Sequence, residues 1–280
     1  MPEGTRGFDS PYRFILLNVC CMRFERILLT FAVLGFVSCT VIEDRSICPC
    51  WLKVTYDDCE SMSGDIRYYI WNADTLISKG VEDISAGYHI YDSPRGHITY
   101  SASFGIPDDC IEVDTYQIPE GMESAEFYAF KEADIAMVAD YSEVAVKPGK
   151  QFSNILIKFE EDITERYQDM SCEVTSSTGG IDLMTLEPSE GLFKLMRYPS
   201  RDGQFFFRIP RQGFGDLSLT VIESGERLNV YSLSNILDKN GYDWTASSLK
   251  DATISLSLVR QDVSVELGDW ELGGDYSAGL

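Results

Sequence analysis

Histidine is nearly absent from this sequence: 280 residues contain two, His89 and His97. No HExxH, GxSxG, Walker A or GxGxxG pattern occurs. Gly213-Phe214-Gly215 is a lone GxG and reads as a turn. Cys48, Cys50 and Cys59 lack the CxxC spacing and nearby histidine that four zinc ligands require, and no EF-hand loop appears. Glu160-Glu161-Asp162 resembles a carboxylate pair for glycoside hydrolysis, which works only at a defined separation across a cleft. Among 45 acidic residues such runs arise by chance. We therefore expect no enzyme, no metal and no cofactor. Basic residues are also scarce, 23 against 45 acidic, a net charge of −22. That excludes nucleic acid, whose phosphates demand Lys and Arg, and disfavours adsorption to anionic headgroups. Solubility outside a cell, divalent cations or a basic partner protein fit such a charge. Finally, no apolar run reaches the roughly 20 residues that a membrane-spanning helix needs.

What is present begins at the N-terminus. Met22-Arg23-Phe24-Glu25-Arg26 is short and largely basic, Ile27 to Val37 is almost wholly apolar, and Ser38 and Cys39 follow. This is the order of a secretory signal. The apolar segment gives only about 16 Å of helix, short of a span. Phe36-Val37-Ser38-Cys39 resembles a bacterial lipobox, which implies that Cys39 is lipidated and is the first mature residue. Residues 1–21 do not fit a signal, and Met22 is the better start. We expect a signal over 1–38, a polar tether over 39–46, and an extracytoplasmic chain beyond it, long enough for two domains of about 100–150 residues each.

Tyr, Phe and Trp are abundant at 15, 15 and four, and such residues suit pleated, half-buried surfaces. Trp51 to Tyr56 alternates, with Leu52, Val54 and Tyr56 on one face and Trp51, Lys53 and Thr55 on the other. Residues 66–71 alternate again. Further strands are expected over 75–78, 84–91, 97–104, 111–118, 125–130 and 144–147, separated by Gly, Pro and Asp pairs. Lys147-Pro148-Gly149-Lys150 breaks the pattern. After it come 152–159, 172–175, 181–186, 204–209, 217–223 and 227–231, a short helix over 234–239, and a hairpin of 252–259 with 263–267. Val263, Val265 and Leu267 share a face and call for a core; Trp270 can pack back on it. Short strands at this spacing indicate β-sandwiches. The expected fold is all-β: two antiparallel β-sandwich domains in tandem, about 47–149 and 150–272, with a tail at 273–280.

Cys48, Cys50, Cys59, Cys110 and Cys172 follow Cys39, an odd set that leaves at least one without an internal partner. If 51–56 is extended, Cys50 and Cys59 stand roughly 30 Å apart, beyond disulfide reach. A Cys59–Cys110 bridge is the expectation, since both follow Asp-Asp loops at strand ends.

Cys39, Ile42-Glu43-Asp44 and Cys48-Pro49 before a strand, then Ile66 to Trp71, Thr75-Leu76-Ile77, Asn154 to Phe159, and Val263 to Glu271 appear in an order that resembles the FimB-type fimbrial anchor lipoproteins of Bacteroidetes. The resemblance covers most of the chain after Cys39 through loose motifs. It implies transthyretin-like sandwiches, a lipid anchor in the outer membrane with surface exposure, and a place at the base of a type V fimbrium. It also implies a shaft-subunit partner bound by strand exchange, which is β-augmentation in physical terms. Glu43-Asp44 resembles an acidic surface-export signal. The competing expectation is a glycan-binding surface lipoprotein of a polysaccharide-uptake system, with Trp51, Tyr69 and Trp71 as sugar-stacking candidates. A glycosidase ranks third.

Overall fold

The protein is described by a computed structural model. It covers residues 48–269 apart from 60–64, 74, 164–166, 168 and 260–261. The expected signal, Cys39, the tether, Trp270 and the tail lie outside the described residues.

Strands dominate. The first half contains β1 (Cys50–Thr55), β2 (Asp65–Asn72), β3 (Thr75–Asp83), β4 (Tyr88–Ser93), β5 (Gly96–Phe104), β6 (Ile111–Glu112), β7 (Thr115–Gln117), β8 (Tyr128–Met137) and β9 (Tyr141–Ala145). The second contains β10 (Gly149–Lys150), β11 (Phe152–Phe159), β12 (Met170–Asp182), β13 (Pro188–Arg197), β14 (Gln204–Pro210), β15 (Ser218–Glu223), β16 (Glu226–Ser232), helix α1 (Leu233–Lys239), β17 (Asp251–Leu256) and β18 (Val263–Gly268). The Ser232 hydroxyl caps α1 by accepting from the Asn235 amide, as short polar side chains do at helix starts. No described helix is long and apolar enough to cross a membrane.

Four sheets form. Their strand orders are β4-β1-β9, β10-β8-β5-β2-β3, β14-β11-β17-β18 and β16-β15-β12-β7-β6, with β13 on the other side of β12. Most pairs are antiparallel. Two are not: β1 runs parallel to β9 and β11 parallel to β17. Parallel neighbours need long crossovers, and here each such pair is separated by most of its half of the chain.

Burial follows the alternation. Leu52 and Val54 are fully buried while Trp51, Lys53 and Thr55 turn outward. In β2 both phases are buried. Ile66, Tyr68 and Ile70 join one apolar cluster with Leu52, Val54, Ile98 and Tyr100. Tyr69 and Trp71 join the larger cluster, with Tyr116, Phe127, Phe205 and Ile254. The five-stranded sheet is thus a middle layer with apolar packing on both faces. The hairpin of β6 and β7 leaves the first half and pairs with β12, and Ser101 Oγ donates to Leu183 O at 3.1 Å.

Several boundaries differ from expectation for local reasons. β3 continues past Lys79-Gly80 because Gly80 lies against the Tyr68 ring, where a Cβ would stand 3.0 Å from Cε1. Residues 84–86 form a 3-10 turn, ended by Gly87 at φ 75°. Asp182 ends the expected 181–186 strand at once: its carboxylate accepts from the Met184 and Thr185 amides at 3.0 and 2.6 Å. β13 was not anticipated.

Candidate functional site

The clearest surface feature is the outer face of the three-stranded sheet. Trp51 is 49% exposed, Tyr88 50%, Ile90 55% and Tyr141 46%. Register brings them together: Trp51 lies opposite Tyr141 on β9, Lys53 opposite Ile90 on β4, and Thr55 opposite Tyr88. Paired residues share a face. Lys53 Nζ donates to Glu143 Oε1 at 2.8 Å and stands 5.5 Å from the Tyr88 ring centre. That hydrogen bond raises the Lys53 pKa and lowers that of Glu143. Of the three aromatic residues singled out in the sequence, only Trp51 belongs here. Tyr69 and Trp71 are 1% and 7% exposed, in the larger cluster, and Tyr69 OH donates to Asp114 Oδ1 at 3.0 Å. They cannot stack on a sugar. Tyr88 and Ile90 were missed because β4 carries large apolar side chains in both phases, Ile90 and Tyr91; Tyr141 was missed because β9 begins three residues before the expected 144–147 strand.

A second feature lies at the sheet edges. Exposed large apolar residues gather on strands with an open side: Leu76 and Val81 on β3, Leu192 and Met196 on β13, Leu228 and Val230 on β16. An open edge offers unpaired N–H and C=O groups to another strand. β18 is also an edge. It pairs with β17 from Leu256↔Val263 to Asp251↔Gly268. Val265 and Leu267 pack against the larger cluster while Val263 is 38% exposed.

The two histidines and Glu161 are engaged in structure. His89 Nδ1 meets Glu82 Oε2 at 2.5 Å, and its Nε2 faces Asp83 O at 2.9 Å. His97 Nδ1 meets Asp134 Oδ1 at 2.7 Å on the surface. Glu161 of the acidic run accepts from Ser257 Oγ at 2.7 Å and from the Leu258 and Val259 amides at 3.1 and 3.2 Å. Burial opposes its ionisation, but these hydrogen bonds prevail and hold its pKa down to about 2. A cleft of about 800 Å³ is lined by Lys131, Lys147, Gln151, Glu187, Arg211 and Trp244, among others. Arg211 is buried there. It donates to Gln151 Oε1 at 2.8 Å, to Ala246 O at 2.7 Å and to Trp244 O, so it fastens the 244–247 loop. Burial lowers its pKa. Among the described residues no group of three His, Cys, Asp or Glu is placed to hold a metal.

Cys50 opens β1 and Cys59 follows it in a 3-10 turn, so the extended strand separates them. Cys59 is buried in the smaller cluster, its Sγ 3.9 Å from Val146 O. Cys110 packs against the larger cluster, its Sγ 3.7 Å from Asp109 Oδ1. The two expected partners thus sit on different cores.

No family model matches the sequence, and no curated protein does either. Solved structures do match. The fimbrial anchor protein Mfa2 from Porphyromonas gingivalis is similar over 80% of this chain and 98% of its own, with a TM-score of 0.58 at 11% identity. The chain shares that fold. A candidate polysaccharide-binding protein from Bacteroides thetaiotaomicron is similar over 80% and 99%, with a TM-score of 0.55 at 12% identity. A candidate adhesin from the same organism is similar over 81% and 98%, with a TM-score of 0.51 at 14% identity. These likenesses establish the all-β tandem architecture.

Proposed function

We propose that this chain is a surface lipoprotein that anchors a type V fimbrium in the outer membrane, held by lipid on Cys39 and joined to a shaft subunit by strand exchange at a sheet edge. The observation that carries the reading is the fold shared with a fimbrial anchor over nearly that protein's whole length. The lipobox-like Cys39 and the open, apolar-rich edges of β3, β13 and β16 support it. Main-chain hydrogen bonds along an edge supply affinity and alternate side chains supply specificity. A single acyl chain binds a membrane only marginally, so stable anchoring requires more than one. The test is fractionation and pull-down of the Cys39→Ala variant. It is expected in the soluble fraction and still able to capture a shaft subunit. Unchanged membrane association, or no capture by either form, counts against the reading.

One observation favours a second reading, glycan binding: Trp51 stands half exposed on an outer sheet face, on a fold also found in a candidate polysaccharide-binding protein. Isothermal titration with soluble oligosaccharides, comparing the parent with Trp51→Ala, separates the two.

A further inference from the structure

We infer that the cleft of about 800 Å³ beside Arg211 binds an acidic sugar, a ring that carries a carboxylate. This depends neither on a lipid at Cys39 nor on Trp51. The cleft inverts the charge balance of the chain. Lys131, Lys147 and Arg211 line it against Glu187 and Asp238, in a chain with 23 basic and 45 acidic residues. Among the described residues none of these five side chains forms an ion pair.

Two of the cations are set face to face. β10 pairs with β8 as Gly149↔Ala129 and Lys150↔Tyr128. Carried two residues further, that antiparallel register sets Lys147 opposite Lys131. Both lysines are exposed and both line the cleft. Like charges directly opposite repel, so an anion between them relieves the repulsion and gains charge-assisted hydrogen bonds. Lys131 Nζ donates to Thr185 O at 2.9 Å, which ties its ammonium to the wall at 185–188. Arg211 adds positive charge and fixes the opposing loop by its bonds to Ala246 O and Trp244 O. The site is therefore organised before a ligand arrives, which lowers the cost of binding.

The form of the site selects a sugar over a peptide. A peptide would join β10 by adding a strand, but that edge is taken. The Leu249 amide donates to Lys150 O at 2.9 Å, and the Lys150 amide donates to Ser248 Oγ at 3.2 Å. The approach is so close that a Cβ on Gly149 would stand 1.9 Å from Ser247 O. What remains open is a concave space of the size that takes small ligands. The half-buried rings of Phe130 and Trp244 line it beside the cations. A sugar offers an apolar C–H face to such rings, hydroxyls to Thr245 and Ser247, and, when acidic, a carboxylate to the two lysines.

The test is isothermal titration of the full chain with digalacturonic acid, its neutral methyl ester and sodium phosphate. The acid should bind, and more weakly as salt rises. The ester and phosphate should bind at least about ten-fold more weakly than the acid. Lys147→Gln removes one charge from an exposed side chain and should weaken the acid about ten-fold, as the loss of one charge-assisted hydrogen bond does. Trp51→Ala should bind the acid like the parent, whatever it does to neutral oligosaccharides. No binding of the acid, or acid and ester bound alike, overturns the inference. Phosphate bound as tightly as the acid overturns it too, and makes the cleft a bare anion site. Binding that is lost in Trp51→Ala and kept in Lys147→Gln overturns the cleft and moves the sugar to the outer sheet.

Discussion

Gly180 lies where β12 closes on β7, and replacing it with alanine tests the described packing directly. Gly180 sits in β12 between β7 and β13, paired with Gln117 on one side and Ser189 on the other. A Cβ there would stand 2.1 Å from Tyr116 O and 2.8 Å from Ser189 Oγ. The serine hydroxyl can rotate; the Tyr116 carbonyl cannot. Tyr116 is 1% exposed, in edge contact with the Phe127 ring, and its hydroxyl accepts from the Ala125 amide at 2.6 Å. Gly180→Ala must therefore push β7 away by about 1 Å. Overpacking of this kind costs about 1–3 kcal/mol. Loosening the short β7–β12 pairing forfeits hydrogen bonds worth about 1 kcal/mol each. A loss of about 3–5 kcal/mol is expected, a large part of the 5–15 kcal/mol typical of a folded domain. At about 2–4 °C per kcal/mol for 150–250 residues, the midpoint should fall by roughly 6–20 °C. Gly268→Ala is the control: Gly268 lies at the end of edge strand β18, and a Cβ there meets nothing within 4 Å. It should change stability by under about 1 kcal/mol. Melting of both variants of residues 39–280, followed by circular dichroism, decides the matter. Equal midpoints would show that β7 does not pack against β12 as described.

Three other outcomes follow from the same geometry. Glu161, held down to about 2 from its usual 4.5, contributes stability that is fully present above about pH 4.5 and lost as pH falls through 2. Glu161→Gln should lose about 1–3 kcal/mol near neutral pH and show a flatter acid limb in urea titrations; an unchanged limb would remove Glu161 from that role. Cys172 is fully buried and burial pushes its thiol far up, so mass spectrometry should find it unmodified by iodoacetamide until the chain is denatured. Modification of the native protein at the rate of an exposed thiol would contradict its place in the core. Deleting residues 262–280 strips β18 from β17 and uncovers the strand that holds the buried Ile254 and Leu256. The truncated chain should melt lower; one that melts like its parent but no longer captures a shaft subunit would make 263–268 a mobile donor instead.

The residues that were legible in the sequence are those whose burial is decided by local alternation. β1, β5, β11 and β14 stand close to where period-2 patterning puts them, and α1 stands between its Ser232 cap and Asn240. β13 escaped notice because Pro188-Ser189-Glu190-Gly191 reads as a turn, and only Phe193 and Leu195 on that strand are fully buried. The same holds for the far half of β12, where Ser176 to Gly180 looks like a loop. Gly179 and Gly180 are there because β7 and β13 approach too closely for any side chain.

What alternation cannot supply is the layer on which a strand lies, and the candidate site turns on that. Trp51 and Trp71 look equivalent in sequence, each an aromatic in a clean period-2 run. Strand β1 belongs to an outer sheet, so its odd-numbered residues face out and Trp51 is half exposed. Strand β2 belongs to the middle sheet, so its odd-numbered residues face a second core and Trp71 is buried. The difference is made by partners far along the chain. Trp51 has Tyr141 beside it, whereas Trp71 shares its cluster with Ile155, Phe205 and Leu183. An aromatic residue on a strand becomes a candidate contact only when the sheet carrying it has no further layer above it. Trp51 meets that condition on β1 and Trp71 does not on β2, although the two runs alternate alike.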